Sequence, residues 1–143
     1  MNVRELLQTK KEAIVTIDVE DTIGAAAHKM STHKIAALVV MRDDAPVSII
    51  SEKDIVRTLA DDGPQAGRRV IATLPSAGLE GIAPDATLKQ AMALMTYSRH
   101  RHLMVTEDAR LVGIISLGDI VKNLLSELEL EKAILQDILM AAH

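Results

Sequence analysis

Apolar residues in the first half of the chain occur in short runs that are separated by polar capping and turn residues. The pattern predicts a β-rich run, a capped helix, two strands joined by a polar turn, and a second helix. In order, these segments are Ala13 to Ile17, a helix begun by Glu20-Asp21-Thr22 that runs through about Ser31, the strands Ala37 to Met41 and Val47 to Ile50 on either side of the turn Arg42 to Pro46, and a helix that opens at Ser51 and continues through Leu59. The predicted unit is β-α-β-β-α.

The same pattern occurs a second time along the chain. Residues 22–57 align without a gap on residues 87–122 at a constant offset of 65, and thirteen of the thirty-six aligned positions are identical. The densest agreement pairs Val47, Ile49, Ile50, Ser51, Asp54, Ile55 and Val56 with Val112, Ile114, Ile115, Ser116, Asp119, Ile120 and Val121. Such agreement indicates duplication of one supersecondary unit, and two such units usually bury their apolar faces against each other.

The duplication predicts an α/β (α+β) fold with two β-α-β-β-α repeats related by a pseudo-two-fold axis. In the second copy, the segments are a helix begun by Pro84-Asp85-Ala86-Thr87 through about Tyr97, the strands Leu103 to Val105 and Leu111 to Ile115, and a long helix from Ser116 to Met140. Between the copies, Asp61 to Gly67 has the composition of a linker, and Arg68 to Leu74 fits a short helix stopped by Pro75. We divide the chain into residues 1–67 (first repeat, with the amino-terminal segment and the linker), 68–122 (second repeat) and 123–143 (carboxy-terminal helix).

The carboxy-terminal segment has the periodicity of an amphipathic helix. Its apolar positions are Leu124, Leu125, Leu128, Leu135, Ile138 and Leu139, with Glu127, Glu129, Glu131 and Lys132 between them. Two interpretations stay open, because such a face could pack on its own domain or pair with a second subunit.

Composition narrows the classes of function. With 143 residues and 48% hydrophobic residues, the chain is long enough for a core, and that core must be aliphatic because Trp and Phe are absent and only one Tyr is present. The absence of cysteine excludes disulfides and thiolate metal sites and suits a reducing, cytoplasmic location. A net charge of −4 argues against general nucleic-acid binding, and no segment has the length of a membrane span.

The repeated sequence Gly-Ile-Ile-Ser-x-x-Asp at residues 113–119, with its counterpart ending in Ser51 and Asp54, resembles the CBS (cystathionine β-synthase) domain. The resemblance extends from about Ala13 to Lys122 and is closest to small bacterial proteins made of two such domains, known as Bateman modules, and a final helix. It implies that the chain binds an adenosine nucleotide as a regulatory ligand: AMP, with ATP, NAD(H) or S-adenosylmethionine as alternatives. It also implies a flat homodimer and a client protein that the sequence does not identify.

Carried over position by position, the resemblance implies a ligand site made of two motifs and a basic cluster. Asp54 and Asp119 would bind the ribose hydroxyls, Ser51 and Ser116 would help to hold the phosphate, and basic side chains before the second strand would neutralise it. Those basic side chains are Arg99, Arg101 and His102.

The chemistry of the Ser-x-x-Asp motif is compatible with two roles. A carboxylate can accept hydrogen bonds from both vicinal ribose hydroxyls, and a helix amino terminus favours phosphate. The same spacing is a variant of the capping box, in which Ser and the acidic third residue satisfy the backbone N–H groups of the helix start. The sequence leaves both roles open.

Residues 99–102, Arg-His-Arg-His, form the densest basic cluster of the sequence. Phosphate binding and complementation of the carbonyl end of the preceding helix both fit such a cluster. His-x-His metal ligation fits less well, because no Cys or nearby acidic residue completes a site, and we expect no metal. If the strand has already begun, Arg99 and Arg101 point to one face and the two histidines to the other; if the chain is still turning, Arg99 and His102 could meet a phosphate together.

Two positions depart from the resemblance. Ser48 stands where the second copy has Gly113, which could narrow one site because a close ligand often requires glycine. Glu80-Gly81-Ile82 replaces a β-branched opening strand, and Gly81 weakens a strand while leaving room beside its backbone.

The leading hypothesis is therefore a nucleotide-binding regulatory module without catalysis. The alternative is a structural dimerisation module whose Ser-x-x-Asp motifs only cap helices. An enzymatic function would need a general base or a metal site, and the sequence contains no Walker A, HExxH or GxSxG pattern to supply one.

Overall fold

The computed structural model describes residues 1–75 and 81–142, and these ranges contain five α-helices and two three-stranded sheets. The helices are α1 (Val3–Thr9), α2 (Ile23–His33), α3 (Glu52–Asp62), α4 (Leu88–Ser98) and α5 (Leu117–Ala141). The strands are β1 (Thr16–Asp18), β2 (Ala37–Arg42), β3 (Ala45–Ser51), β4 (Gly81–Ile82), β5 (His102–Glu107) and β6 (Arg110–Ser116). Two 3₁₀ helices, Gly63–Arg68 and Ile71–Thr73, follow α3.

The two sheets have the same topology. In each, the central strand pairs parallel with the first strand and antiparallel with the third, in the orders β1-β2-β3 and β4-β5-β6. The antiparallel register shifts between Val40 and Met41 in one sheet and between Val105 and Thr106 in the other, which are equivalent positions of the duplication. The β-α-β-β-α order predicted for each repeat is confirmed.

Side-chain caps fix where α2 and α4 begin. Thr22 Oγ1 accepts a hydrogen bond from the Ala25 N–H at 3.1 Å. Thr87 Oγ1 accepts from the Gln90 N–H at 3.0 Å, and the Gln90 side chain accepts from the Thr87 N–H at 2.9 Å. These bonds satisfy backbone groups that lack an intrahelical partner, as the sequence predicted for these positions.

Each repeat has its own aliphatic core between its sheet and its first helix. In the first repeat, Ile17, Leu38 and Ile50 from the sheet meet Ile23 and Met30 from α2. The second repeat uses equivalent residues, and its core consists of Val3, Leu6, Leu88, Ala91, Met95, Leu103, Val105, Ile115 and Ile120. Two members of that core, Val3 and Leu6, come from α1 at the far end of the chain.

The segment before each repeat packs on the other repeat. Helix α1 lies against β6 and α5, and the Val3 and Arg4 N–H groups donate to the carbonyls of Ala86 and Pro84 at 2.9 Å. In the first repeat, the segment after the 3₁₀ helix takes the matching position, because the Ile23 N–H donates to the Arg69 carbonyl at 2.9 Å. The amino-terminal segment, which the sequence division grouped with the first repeat, thus contacts the second.

Gly113 lies directly beneath α1. A Cβ atom at this position would stand 2.6 Å from Leu7 Cδ2, closer than carbon atoms approach each other. The residue is buried, and its φ is not in the left-handed region, so the glycine reflects the space taken by Leu7, and a larger residue here would have to push the Leu7 side chain aside. The sequence predicts that the difference between Ser48 and Gly113 affects ligand access; in the structure, Leu7 occupies the space beside Gly113.

Among the residues that the structure describes, only the first part of α5 packs on the rest of the molecule. Ile120 is fully buried, whereas every residue from Leu124 to Ala142 is exposed, including Leu128 at 61% and Leu139 at 62%. Of the two interpretations left open for this helix, packing on its own domain is wrong for residues 124–142.

Several predicted boundaries differ from the structure. Strand β1 is shorter than the Ala13 to Ile17 run and shifted toward Asp18, because only Thr16–Asp18 pairs with β2. The short helix expected over Arg68 to Leu74 is a 3₁₀ turn at Ile71–Thr73. Gly81–Ile82 does form a two-residue strand, whereas Glu80 and His143 lie outside the described residues.

The contact between Gly113 and Leu7 predicts a non-additive pair of mutations. Gly113→Ala should destabilise the protein by about 1–3 kcal/mol, because the new methyl group overpacks against Leu7. Leu7→Ala should relieve part of that cost, so a double-mutant cycle in urea unfolding should give a coupling of at least about 0.5 kcal/mol. Gly118→Ala is the control, since its Cβ would meet nothing closer than Ser116 Oγ at 3.6 Å. Strictly additive effects would contradict the packing described here.

Candidate functional site

The amino terminus of α5 is closed by a capping box. Ser116 is the N-cap: its Oγ accepts from the Asp119 N–H at 3.1 Å, and Asp119 Oδ2 accepts from the Ser116 N–H at 2.8 Å. Gly118, at the second helical position, presents a backbone N–H toward which no preceding carbonyl of the helix is directed. The capping role considered for this motif in the sequence is therefore present in the structure.

Helix α3 in the first repeat begins in the same way. The Ser51 N–H donates to Asp54 Oδ2 at 2.8 Å, and Ser51 Oγ lies 3.1 Å from the same carboxylate oxygen. In both repeats, the Ser-x-x-Asp motif therefore caps a helix that begins where a strand ends.

Lys10, just after α1, forms a salt bridge with one oxygen of the Asp119 carboxylate. Its Nζ lies 2.8 Å from Asp119 Oδ2 and also donates to the Ile114 carbonyl at 2.9 Å. Burial opposes ionisation of Asp119, but the hydrogen bonds from Lys10 and Ser116, together with the positive charge of Lys10, outweigh it and lower the pKa of Asp119 below its ordinary value. Asp119 is therefore ionised at neutral pH.

The basic cluster at residues 99–102 extends from the end of α4 to the first residue of β5. Arg99 is the C-cap of α4 with φ of 60°, and its side chain is exposed. Arg101 precedes the strand, and its carbonyl accepts from the Leu117 N–H at 2.8 Å, which ties the cluster to the start of α5. His102 pairs with Ser116 across the sheet. Burial lowers the pKa of His102, although the nearby Asp119 carboxylate opposes this, so His102 is neutral at pH 7.

An open cavity of about 740 Å³ lies at this junction, which is within the range of small-molecule sites. Its basic and polar end is formed by Arg101, His102, Ser116 and Lys122, and its apolar wall by Leu117, Val121 and Leu125 of α5. Gly118, Ser126 and Glu129 complete the lining. The arrangement offers cations, a hydroxyl and a helix amino terminus at one end and aliphatic surface beside them.

The cavity brings together three of the seven residues that the sequence proposed for a ligand site. Arg101, His102 and Ser116 line it, whereas Ser51, Asp54, Arg99 and Asp119 do not. Asp119 is nevertheless adjacent, since its own backbone N–H is bonded to Ser116.

Sequence reasoning missed Lys10 and Lys122. Lys122 lies four residues after Gly118, which follows the motif serine at the start of α5, so i, i+4 helical spacing could have indicated it. Lys10 contacts Asp119 across a sequence separation of 109 residues, and no local pattern carries that information.

Within residues 1–75 and 81–142, no group of three His, Cys, Asp or Glu side chains is placed to hold a metal ion. Across the same ranges, no helix combines the length and apolar character needed to cross a bilayer.

The Lys10–Asp119 pair predicts a pH-dependent contribution to stability. Because the folded-state pKa of Asp119 is lowered, its contribution is fully present above the unfolded-state pKa of about 3.9 and is lost as pH falls through the lower folded-state value. Asp119→Asn should cost about 1–2 kcal/mol at pH 7 in urea unfolding, and the difference from the native chain should shrink below about pH 4. Lys10→Met should show the same trend.

Asp85→Asn is the matched control for this measurement. Asp85 also pairs with a cation, Arg4 at 3.4 Å, but its side chain is 84% exposed, and exposed pairs contribute little. A pH-independent difference for Asp119→Asn, or an equal effect of Asp85→Asn, would show that the half-buried Lys10–Asp119 pair is not responsible.

Comparison with known proteins identifies relatives that match most of the chain. The chain is 27% identical over 118 residues to the CBS domain-containing protein YhcV of Bacillus subtilis, covering 82% of this chain and 84% of that protein. It is 30% identical over 113 residues to the mitochondrial CBS domain-containing protein CBSX3 of Arabidopsis thaliana. That match covers 76% of this chain but only 55% of CBSX3.

The fold agrees with a solved relative. A CBS-domain containing protein from Agrobacterium tumefaciens superimposes with a TM-score of 0.81 at 35% identity, covering 86% of this chain and 98% of that one. The family model of the CBS domain matches residues 3–61 and again residues 72–126, one match for each repeat. With the duplicated motif, the paired sheets and both matches in agreement, the chain belongs to the CBS domain family as a tandem pair of CBS domains.

Proposed function

We propose that this CBS pair is a regulatory module that binds an adenosine nucleotide and catalyses no reaction. AMP is the first candidate ligand, with ATP, NAD(H) and S-adenosylmethionine as the alternatives. The observation that carries the proposal is the cavity at the start of α5, where Arg101, His102 and Ser116 converge beside an aliphatic wall.

The basic end of the cavity suits a phosphate. Arg101 and Lys122 supply two positive charges, and the amino terminus of α5 adds the positive end of a 25-residue helix with the Gly118 N–H available. Glu129 lines the cavity farther along α5. In a chain of net charge −4, this local excess of cations favours an anionic ligand over a neutral one.

The remaining parts of a nucleotide have separate candidate contacts. The base would lie on the wall formed by Leu117, Val121 and Leu125, which offers dispersion contacts but no aromatic stacking. The ribose hydroxyls would be bound by the motif carboxylates, Asp119 in this repeat and Asp54 in the other. Since Asp119 Oδ2 already accepts from Lys10 and Ser116, a ribose must use Oδ1 or displace Lys10.

The two repeats differ in the charges that they offer to a phosphate. At the positions of Arg101 and His102, the first repeat has Ala36 and Ala37, and at the position of Leu117 it has Glu52. Lys53 stands at the position of Gly118 and Arg57 at that of Lys122, but with Glu52 present and the arginine absent, that end carries one positive charge fewer and is less favourable to phosphate. We therefore assign the phosphate to the second repeat and treat Ser51 and Asp54 as a weaker site.

The exposed apolar face of α5 favours a second candidate function, that of an association module. Nine large apolar side chains beyond Asn123 are uncovered, and a second protein surface would bury them. In this alternative the Ser-x-x-Asp motifs only cap helices.

The proposal predicts a different effect for each arginine of the basic cluster. Arg101→Ala should weaken AMP binding about tenfold or more and leave adenosine binding nearly unchanged, because adenosine has no phosphate to receive a charge-assisted hydrogen bond. Arg99→Ala is the matched control, since it removes the same charge two residues away and outside the cavity. Isothermal calorimetry with AMP and adenosine on the three proteins provides the comparison.

The outcomes separate the candidate functions. Equal loss of AMP and adenosine in Arg101→Ala, or equal effects of Arg99→Ala and Arg101→Ala, would move the phosphate away from this cavity. If the native chain binds none of AMP, ATP, NAD(H) and S-adenosylmethionine, the nucleotide proposal fails and the association module takes its place.

A further inference from the structure

The part of α5 beyond Asn123 has a large exposed apolar surface. From Leu124 to Met140, the helix presents nine large apolar side chains that are each at least 39% exposed. They are Leu124, Leu125, Leu128, Leu130, Ile134, Leu135, Ile138, Leu139 and Met140. At a rise of about 1.5 Å per residue, this exposed segment is about 25 Å long.

Six of these side chains form one apolar stripe along the helix. The spacing of its positions is the same whether the helix is read from its amino or its carboxy end. Leu124, Leu125 and Leu128 begin the stripe, and Leu135, Ile138 and Leu139 end it. Read from the midpoint between Glu131 and Lys132, Leu128 corresponds to Leu135, Leu125 to Ile138 and Leu124 to Leu139. Leu130 and Ile134 lie away from this stripe on the helical circumference.

We propose that the exposed α5 helices of two copies of this chain pair antiparallel, with their centre between Glu131 and Lys132. A two-fold contact requires a self-complementary surface, so that residue i of one copy meets residue j of the other and j meets i. The reversed symmetry of the stripe meets that requirement in the antiparallel orientation: Leu124 faces Leu139 of the second copy, and Leu128 faces Leu135.

The charges at the centre select this orientation. In the antiparallel pair, each Glu131 meets Lys132 of the second copy, which gives two opposite-charge contacts. In a parallel pair, Glu131 would face Glu131 and Lys132 would face Lys132, and like charges at that position are unfavourable. The opposed helix dipoles also favour the antiparallel arrangement.

The remaining acidic residues agree with the same choice. Glu127 and Glu129 precede the centre, so a parallel pair would align them with their own copies. In the antiparallel register they lie opposite Gln136 and Ile134 instead. The register also extends the contact, because Ala142 at the tip of one helix reaches Val121 of the second copy, which is itself 43% exposed.

Cysteine cross-linking tests the orientation directly, because the chain contains no cysteine of its own. Leu124→Cys and Leu139→Cys chains should form a disulfide with each other when they are mixed and oxidised, and neither should cross-link to itself. In a parallel pair the result is reversed, because each variant cross-links to itself. Self-cross-linking without mixed cross-linking overturns the proposal.

Charge variants test the register without altering the apolar stripe. In sedimentation equilibrium of the full chain, Glu131→Lys and Lys132→Glu should each weaken self-association about tenfold. An equimolar mixture of the two, or one chain that carries both changes, should restore it. Glu127→Lys is the matched control and should not weaken association, since Glu127 lies opposite Gln136.

Self-association of the native chain tests the proposal as a whole. A monomer at all concentrations up to about 100 μM would overturn the proposal, as would a dimer that is unaffected by Glu131→Lys. Neither measurement uses a nucleotide, so failure here is distinguishable from failure of the proposed ligand site.

Discussion

Packing of α1 on the second repeat is the constraint on which most of this structure depends. Val3 and Leu6 are 0% and 3% exposed, and they complete a core that otherwise consists of residues from 88 to 120. The first helix of the chain therefore packs on the last β-sheet, and the core of the second repeat is completed by residues from outside that repeat. The 3₁₀ segment that covers the first repeat creates the matching dependence in the other direction.

The same helix controls the chemistry at the start of α5. By docking over Gly113, it delivers Lys10 to Asp119, where the ammonium group neutralises the carboxylate. Without that cation, an anionic ligand would approach Arg101 and Ser116 past an uncompensated negative charge about one helical turn away. A packing contact made by Leu7 and Val3 thus sets the electrostatic sign of the candidate site.

The sequence predicted the parts of the fold that local patterns and duplication encode. The alternation of strands and capped helices, and the two Ser-x-x-Asp helix starts, are visible in short windows, and the constant offset of the repeat confirms each copy by the other. What it could not predict is which segment covers which repeat. The amino-terminal segment was grouped with the repeat that follows it, because sequence proximity is the only available guide when a contact spans more than 80 residues.

The candidate site, like the fold, was predictable from the sequence only where local patterns encode it. The motif and the basic cluster were found from the sequence, but the choice among Arg99, Arg101 and His102 depends on where α4 stops. Arg99 takes the left-handed conformation that ends that helix, which separates its side chain from the cavity and leaves Arg101 beside Ser116. The assignment thus depends on the position at which α4 ends, and helix boundaries of that precision are not encoded in apolar periodicity.

Helix α5 joins the candidate ligand cavity to the candidate interface. Val121 and Leu125 line the cavity, and both lie on or beside the stripe proposed to meet a second copy. In the antiparallel register, the carboxy-terminal tip of the second copy arrives at Val121, so ligand and partner would contact the same turn of one helix. Two ligands that share a contact surface influence each other's binding, and the influence is equal in both directions. If the ligand and the second copy bind as proposed, one continuous helix of 25 residues would connect the two sites.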